Sequence, residues 1–328
     1  MATKKKAKKP SAKDHSRPEP ADYSMPSLFS AEQVLRDIHR ALDNRKLDGP
    51  DDLNAYLQTL HGPGLKKALE EAPPPRPQDE AQDLAYQAME AESDQEALFL
   101  VNNALEKDPD CVDALVTRAE LTAKSAKELI NRLEHAVTTA ERSLGPTFFE
   151  ENKGHFWGLI ETRPYMRARH FLADALYEDG KVSQAIAHYE ALIGLNPNDN
   201  QGIRDILLGC YLTTDNLDGA RRLLEAYKRE ISAVFAWGRT LECILSGDFA
   251  RAAKALRHAR EQNPYVEQYL TAKKDLPPQL PDVYSFGSEE EALVCMDFLA
   301  EAWALHPEAL LWLHVQAKQS FYKKSAGA

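Results

Sequence analysis

The sequence has no apolar run approaching the roughly 18 residues that a membrane-spanning helix requires. Its N-terminal lysines are followed by no hydrophobic stretch, so a secretory signal is not expected, and the chain is predicted to be cytoplasmic with no membrane partner. Cysteine is sparse: Cys111, Cys210, Cys243 and Cys295 lie far apart, and none has the two-residue spacing with which paired thiolates grip zinc. Each sits among apolar neighbours, which predicts reduced thiols in a core. The strings that announce common catalytic sites are missing as well. There is no Gly-rich phosphate loop ending in Gly-Lys-Ser/Thr, no His-Glu-x-x-His, no Gly-x-Ser-x-Gly and no dinucleotide fingerprint, and the ten histidines are scattered singly. These absences remove the positive case for an enzyme, and no cofactor or metal is expected.

What is present is ordinary globular material, 43% apolar and 28% charged over 328 residues, enough for about two domains or one repeat array with an added module. The net charge is −11, but residues 1–17 carry seven Lys/Arg against one Asp, which leaves −17 on the remainder. An acidic body is a poor match for a phosphate backbone, because nucleic-acid affinity depends on clustered cations that displace counterions. Nucleic acid or ribosome is therefore a partner class open only to residues 1–17. No aromatic residue stands among those lysines to stack on bases, and a solubilising tail is the competing reading.

Residues 1–27 have no hydrophobic pattern and four prolines, which predicts a disordered Lys-rich tail. A helical module is expected over 28–72. Its first helix is predicted to be capped by Ser30, to present Val34, Ile38 and Leu42 on one face, and to stop near Gly49-Pro50. Asp51-Asp52 are expected to cap a second helix bearing Leu53, Tyr56, Leu57 and Leu60, with Gly62-Pro63-Gly64 ending it. The Pro-rich run 73–79 reads as a semi-rigid linker.

Beyond the linker the chain repeats itself. Ala97, Ala185 and Ala252 are each followed twelve residues later by a proline (Pro109, Pro197, Pro264) at the end of an amphipathic stretch. A small residue lets two helices approach closely, and the Asp-Pro or Asn-Pro ends the second of them. In "HFLADALYEDGKVSQAIAHYEALIGLNPND" the pair is complete, with Leu172, Ala173, Leu176 and Tyr177 on the first helix and Gly180 in a left-handed turn. Ala220 follows Ala185 by 35 residues, and Ala252 follows Ala220 by 32. Helix-turn-helix units at a period of about 34 residues resemble tetratricopeptide repeats, most closely over 166–264. Residues 80–144 fit less well, with a long second helix over about 126–144. The expected fold is all-α: a right-handed tetratricopeptide-type solenoid with repeats over 80–287, an insertion at 145–164, and a C-terminal helical cap and tail over 288–328.

The C-terminal third carries a second likeness. Asn263, Pro264, Val266, Tyr269 and Leu270, then a Pro-rich loop, Gly287, Glu291, Ala292, Trp303, Ala309 and Leu310, resemble the C-terminal part of the suppressor of tumorigenicity 7 family. The stretch "GHFWGLIETRPYMRAR" resembles bacterial tetratricopeptide proteins related to that family. Neither resemblance implies a catalytic activity; both imply an interaction protein. The long transmembrane N-terminal portion of the eukaryotic relatives has no counterpart in this sequence.

The densest cluster of unusual residues is 150–169. Pro164 suits a helix start and is expected to hold Arg163 extended beside the helix N-terminus, where a cation needs an anion nearby. In one reading that anion is internal: Glu161, Glu150 or Glu151 pairs with Arg163, Arg167 or Arg169, and Phe156, Trp157, Leu159, Ile160 and Tyr165 plug a gap between repeats. In the other, His155, Arg163, Arg167 and Arg169, with Asn200 and Arg204, line the inner groove and bind a carboxylate of an acidic or extended peptide, for which arginine offers a planar fork of donors. Tetratricopeptide proteins that grip C-terminal carboxylates use Lys, Asn and Arg on first helices in a similar way. Asn198, Asp199 and Asn200 also read as turn and cap residues. An enzymatic alternative, a hydrolase or transferase, would use His155 and Glu161 as acid and base. At the C-terminus, Leu293, Met296, Leu299 and Trp303, then Leu310, Leu311 and Val315, are predicted to close the end of the solenoid, with Trp312 off that stripe as a candidate partner or oligomer contact.

Overall fold

The computed structural model describes residues 28–326 apart from 44, 46 and 47; the tail 1–17 and the disorder predicted for 1–27 lie outside the described residues. Among the described residues the secondary structure is entirely helical, without a strand. No described helix is long and apolar enough to cross a membrane. The chain divides into two compact units, Met1–Pro73 and Pro74–Ala328.

The first unit contains α1 (Leu28–Asp43), α2 (Pro50–Leu57) and α3 (Pro63–Glu70), with α1 packed on α3. Its punctuation differs from expectation. Ser30 lies inside α1 rather than capping it, and α1 ends at Asp43, well before Gly49. Asp51 and Asp52 fall in the first turn of α2, where carboxylates complement the helix dipole, and the cap position is Gly49. Gly62-Pro63-Gly64 does not only close α2: Pro63 opens α3, its missing N–H being one that a first turn leaves unpaired anyway.

The second unit begins with α4 (Pro77–Met89), α5 (Asp94–Lys107), α6 (Val112–Thr122) and α7 (Ala126–Leu144). After α8 (Pro146–Glu151) and two 3-10 turns come α9 (Arg163–Glu178), α10 (Val182–Leu195), α11 (Ile203–Thr213), α12 (Leu217–Ala226), α13 (Ala233–Leu245) and α14 (Phe249–Gln262). The helices pack as consecutive pairs, α4 with α5, α6 with α7, α9 with α10, α11 with α12 and α13 with α14. Each second helix from α5 to α12 also packs on the first helix of the following pair. Ala97, Ala185, Ala220 and Ala252 are all buried at these crossings, as their size requires.

One turn recurs three times. Gly180 (φ 76), Asp215 (φ 56) and Gly247 (φ 73) take the left-handed conformation, each five residues before the buried alanine of the following helix. The next amide closes the turn onto a carbonyl five residues back: Lys181 N donates to Leu176 O (2.8 Å), Asn216 N to Tyr211 O (2.9 Å) and Asp248 N to Cys243 O (3.0 Å). Aspartate tolerates this conformation better than most residues, which is why a turn without glycine keeps the same geometry.

The C-terminal elements are α15 (Val266–Leu270), α16 (Glu289–Ala304) and α17 (Pro307–Ala326). Helix α16 packs on α13 of the last pair and also reaches back to α11, with Leu293, Met296, Leu299 and Trp303 buried. A β-carbon on Gly209 would stand only 2.4 Å from Phe298 O, so α11 and α16 meet at a glycine. Trp303 packs edge to face with Trp237 (6.4 Å), and Tyr177 OH donates to Glu301 Oε2 (2.9 Å). The buried side of α17 is Ala309 and Leu313; Leu311 and Val315, predicted to face inward, are exposed, and Trp312 is half-buried with its ring stacked on Phe249. All four cysteines are buried, and burial raises the thiols of Cys210 to about 12 and Cys243 to about 11.

Candidate functional site

The aromatic insertion is built as a plug. Phe149 and Phe156 meet at 4.9 Å, and Phe149 and Tyr165 at 5.1 Å edge to face. Phe156, Ile160 and Tyr165 are buried, while Trp157 and Leu159 are partly so. Thr162 locks the two 3-10 turns by donating its hydroxyl to Phe156 O and to Leu159 O. Arg163 is helical (φ −61, ψ −39), not extended, because these turns run directly into α9 and leave Pro164 inside its first turn.

The arginines grouped by the sequence are dispersed by the fold, and each finds a partner within the protein. Arg167 forms a two-pronged ion pair with Asp113 of α6 (Nε to Oδ1 3.0 Å, Nη2 to Oδ2 2.6 Å), with side-chain exposures of 11% and 0%. Asp113 also accepts from Gln82 (2.6 Å). Arg169 donates to the Tyr165 hydroxyl and reaches Glu141 of α7 at 3.4 Å. Arg163 donates to Trp157 O (3.1 Å) and lies over the Trp157 ring at 5.2 Å. Arg204 pairs with Glu230 (2.8 Å) and Asp199 (3.6 Å) and lies over Tyr227. The partners of Arg167 and Arg169 are thus carboxylates of distant helices, in place of the nearby Glu150, Glu151 and Glu161.

Asp199 caps α11, its carboxylate accepting from Ile203 N (2.7 Å) and Arg204 N (2.9 Å), whereas Asn198 and Asn200 are exposed. His155 and Glu161 are also exposed. Glu161 borders a small hollow of about 190 Å³ between α4, α6, α7 and α9, and His155 is not among its lining residues.

Helices α11 and α13 are both covered by α16. An open cleft of about 700 Å³ lies elsewhere, between α7, α8, α9 and α10. Its floor is Ala187, Ala191, Gly194 and Leu195 of α10, and its walls include Pro146, Phe149, Glu150, Lys153, Tyr165 and Arg169. Of the six residues singled out by sequence, only Arg169 lines it. Lys153 has no ion-pair partner among the described residues, while Arg169 is tied to Glu141. A second cleft of about 440 Å³ shares Glu190 and Gly194 with the first and continues past Pro197 and Tyr211 to α12. Tyr211 OH holds Glu190 at the junction (2.6 Å).

Burial and the Arg169 charge lower His188 to about 4, so it stands neutral at physiological pH. Sequence reasoning missed the cleft because its floor is a run of small residues on the solvent side of α10, a pattern shared with any weakly amphipathic helix. Among the described residues no group of three or more His, Cys, Asp or Glu side chains is arranged to hold a metal ion. No protein-family model matches the chain, and no curated protein is significantly similar to it.

Proposed function

We propose that the second unit is a right-handed tetratricopeptide-type solenoid serving as a protein–protein interaction scaffold or adaptor, with an extended peptide of the partner seated in the cleft over α10. The observation that carries this reading is the open cleft itself: about 700 Å³, with Ala187, Ala191 and Gly194 in its floor admitting a backbone closely, Pro146, Phe149 and Tyr165 supplying apolar wall between charged side chains, and the unpaired Lys153 at its edge. The cleft suits a segment that lays an apolar side chain over Ala191 and sets a carboxylate before Lys153. The thrice-repeated turn and the pairing of each second helix with the next first helix support the repeat reading.

Selection of displayed random peptides on the full chain tests the site. Enriched peptides are expected to lose binding on Ala191→Trp, which fills the cleft, and to weaken on Lys153→Glu, while Arg204→Ala leaves them bound. Peptides insensitive to Ala191→Trp but lost on Arg163→Ala and Arg204→Ala would move the site to the arginines first singled out. The absence of any reproducible peptide would remove the reading.

A further inference from the structure

Helix α17 is apolar on two sides. Ala309 and Leu313 are fully buried against the body, while Leu311 and Val315 point away from it, 66% and 45% exposed. Along the exposed side the order is Glu308, Leu311, Val315, Lys318, with spacings of three, four and three residues and all four side chains exposed. That is one seam of a two-helix packing, and it has a property that single seams usually lack. Reversed about Leu313, it matches itself: Leu311 falls opposite Val315, and Glu308 falls opposite Lys318.

We propose that α17 is the interface of a two-fold dimer, in which it packs antiparallel against α17 of a second copy. Two-fold symmetry requires one surface patch complementary to itself, and this seam has it in both shape and charge. The apolar pair lies at the centre, and two Glu308–Lys318 pairs form at the ends. Lys318 has no partner among the described residues, and Glu308 has only His306 Nδ1 at 3.5 Å. Antiparallel packing also sets the two helix dipoles favourably. An anionic lipid surface is a poorer fit, because Glu308 stands at one end of the same apolar seam. The stacked rings of Phe249 and Trp312 flank it and widen the apolar area. A single helix pair buries less than a standard interface, so the association is expected on the order of micromolar.

Sedimentation velocity on the full chain, over a concentration series spanning the micromolar range, tests the proposal. Wild type is expected to pass from monomer to dimer, and Leu311→Glu to remain monomeric with unchanged circular dichroism, since Leu311 makes no core contact. Lys318→Glu is expected to weaken the dimer about tenfold, equivalent to 1.4 kcal/mol. Glu308→Lys is expected to do the same, and the double variant Glu308→Lys/Lys318→Glu to restore wild-type association. A wild-type chain that is monomeric throughout the series, or a dimer indifferent to Leu311→Glu, overturns the proposal. So does a double variant no better than Lys318→Glu alone, because the charges would then not face each other. Val315→Ser, a milder change on the same seam, gives the same readout if Leu311→Glu disturbs the fold.

Discussion

Asp113 is fully buried and receives three donors, two from Arg167 and one from Gln82. Ion pairs of this kind hold a geometry more than they add stability, but removing one partner leaves the other charged in a dry place. Asp113→Ala is therefore expected to destabilise the protein by about 3–5 kcal/mol in urea unfolding. Asp113→Leu combined with Arg167→Met should cost clearly less, and equal losses in the two proteins would show that packing, not the stranded charge, sets the effect. Asp205 offers a pH test. Burial, opposed by Arg204 and reinforced by Glu230, Asp199 and Glu291, raises its carboxyl from 3.8 to about 7, and its Oδ1 has no hydrogen-bond partner. Between those two values the folded protein holds a proton that the unfolded chain has released, so this group's contribution is lost as pH rises through the window. Asp205→Asn is expected to raise the urea midpoint at pH 8 and to change it little at pH 4; the opposite order would show that the carboxylate is stabilised by its neighbours.

At the scale of elements, the close crossing of α11 and α16 depends on Gly209. A β-carbon there meets the Phe298 carbonyl at 2.4 Å, and backbone cannot swing aside as the end of a flexible side chain can. Gly209→Ala, normally favourable inside a helix, is expected to destabilise by about 1–3 kcal/mol, measured by thermal unfolding. A stabilised variant would mean that α16 packs less tightly than described. The helix pairs themselves were legible in the sequence because their signals are local. Ala185 and Pro197 bracket one helix, Gly180 marks one turn, and the same three signals recur down the chain. Gly209 carried no such signal. Its role comes from α16, whose Phe298 is 89 residues away, and nothing in either helix alone names the other.

At the scale of the second unit, α16 is an integral layer and not an appendage. It buries Ala292, Leu293, Cys295, Met296, Leu299, Ala302 and Trp303, and Glu291 accepts from Ala233 N (2.9 Å), Asn263 Nδ2 (2.9 Å) and Gly287 N (2.7 Å). Deleting residues 288–328 is expected to lower the melting temperature by about 10 °C or more and to raise binding of a hydrophobic dye, because the apolar faces of α11 and α13 are uncovered. A truncated chain that melts like wild type would make α16 dispensable.

The sequence alone determined the helical class, the pairing of neighbouring helices, the left-handed turn at Gly180 and the core role of the buried alanines. All of these follow from periodicity, capping and proline placement within about 35 residues. Only the tertiary structure decided where the cleft opens, that α16 packs across α11 and α13, and that Arg163, Arg167, Arg169 and Arg204 have internal partners. Ion pairing depends on which carboxylates the fold brings within a few ångströms, and Asp113 reaches Arg167 across 54 residues that no local pattern connects.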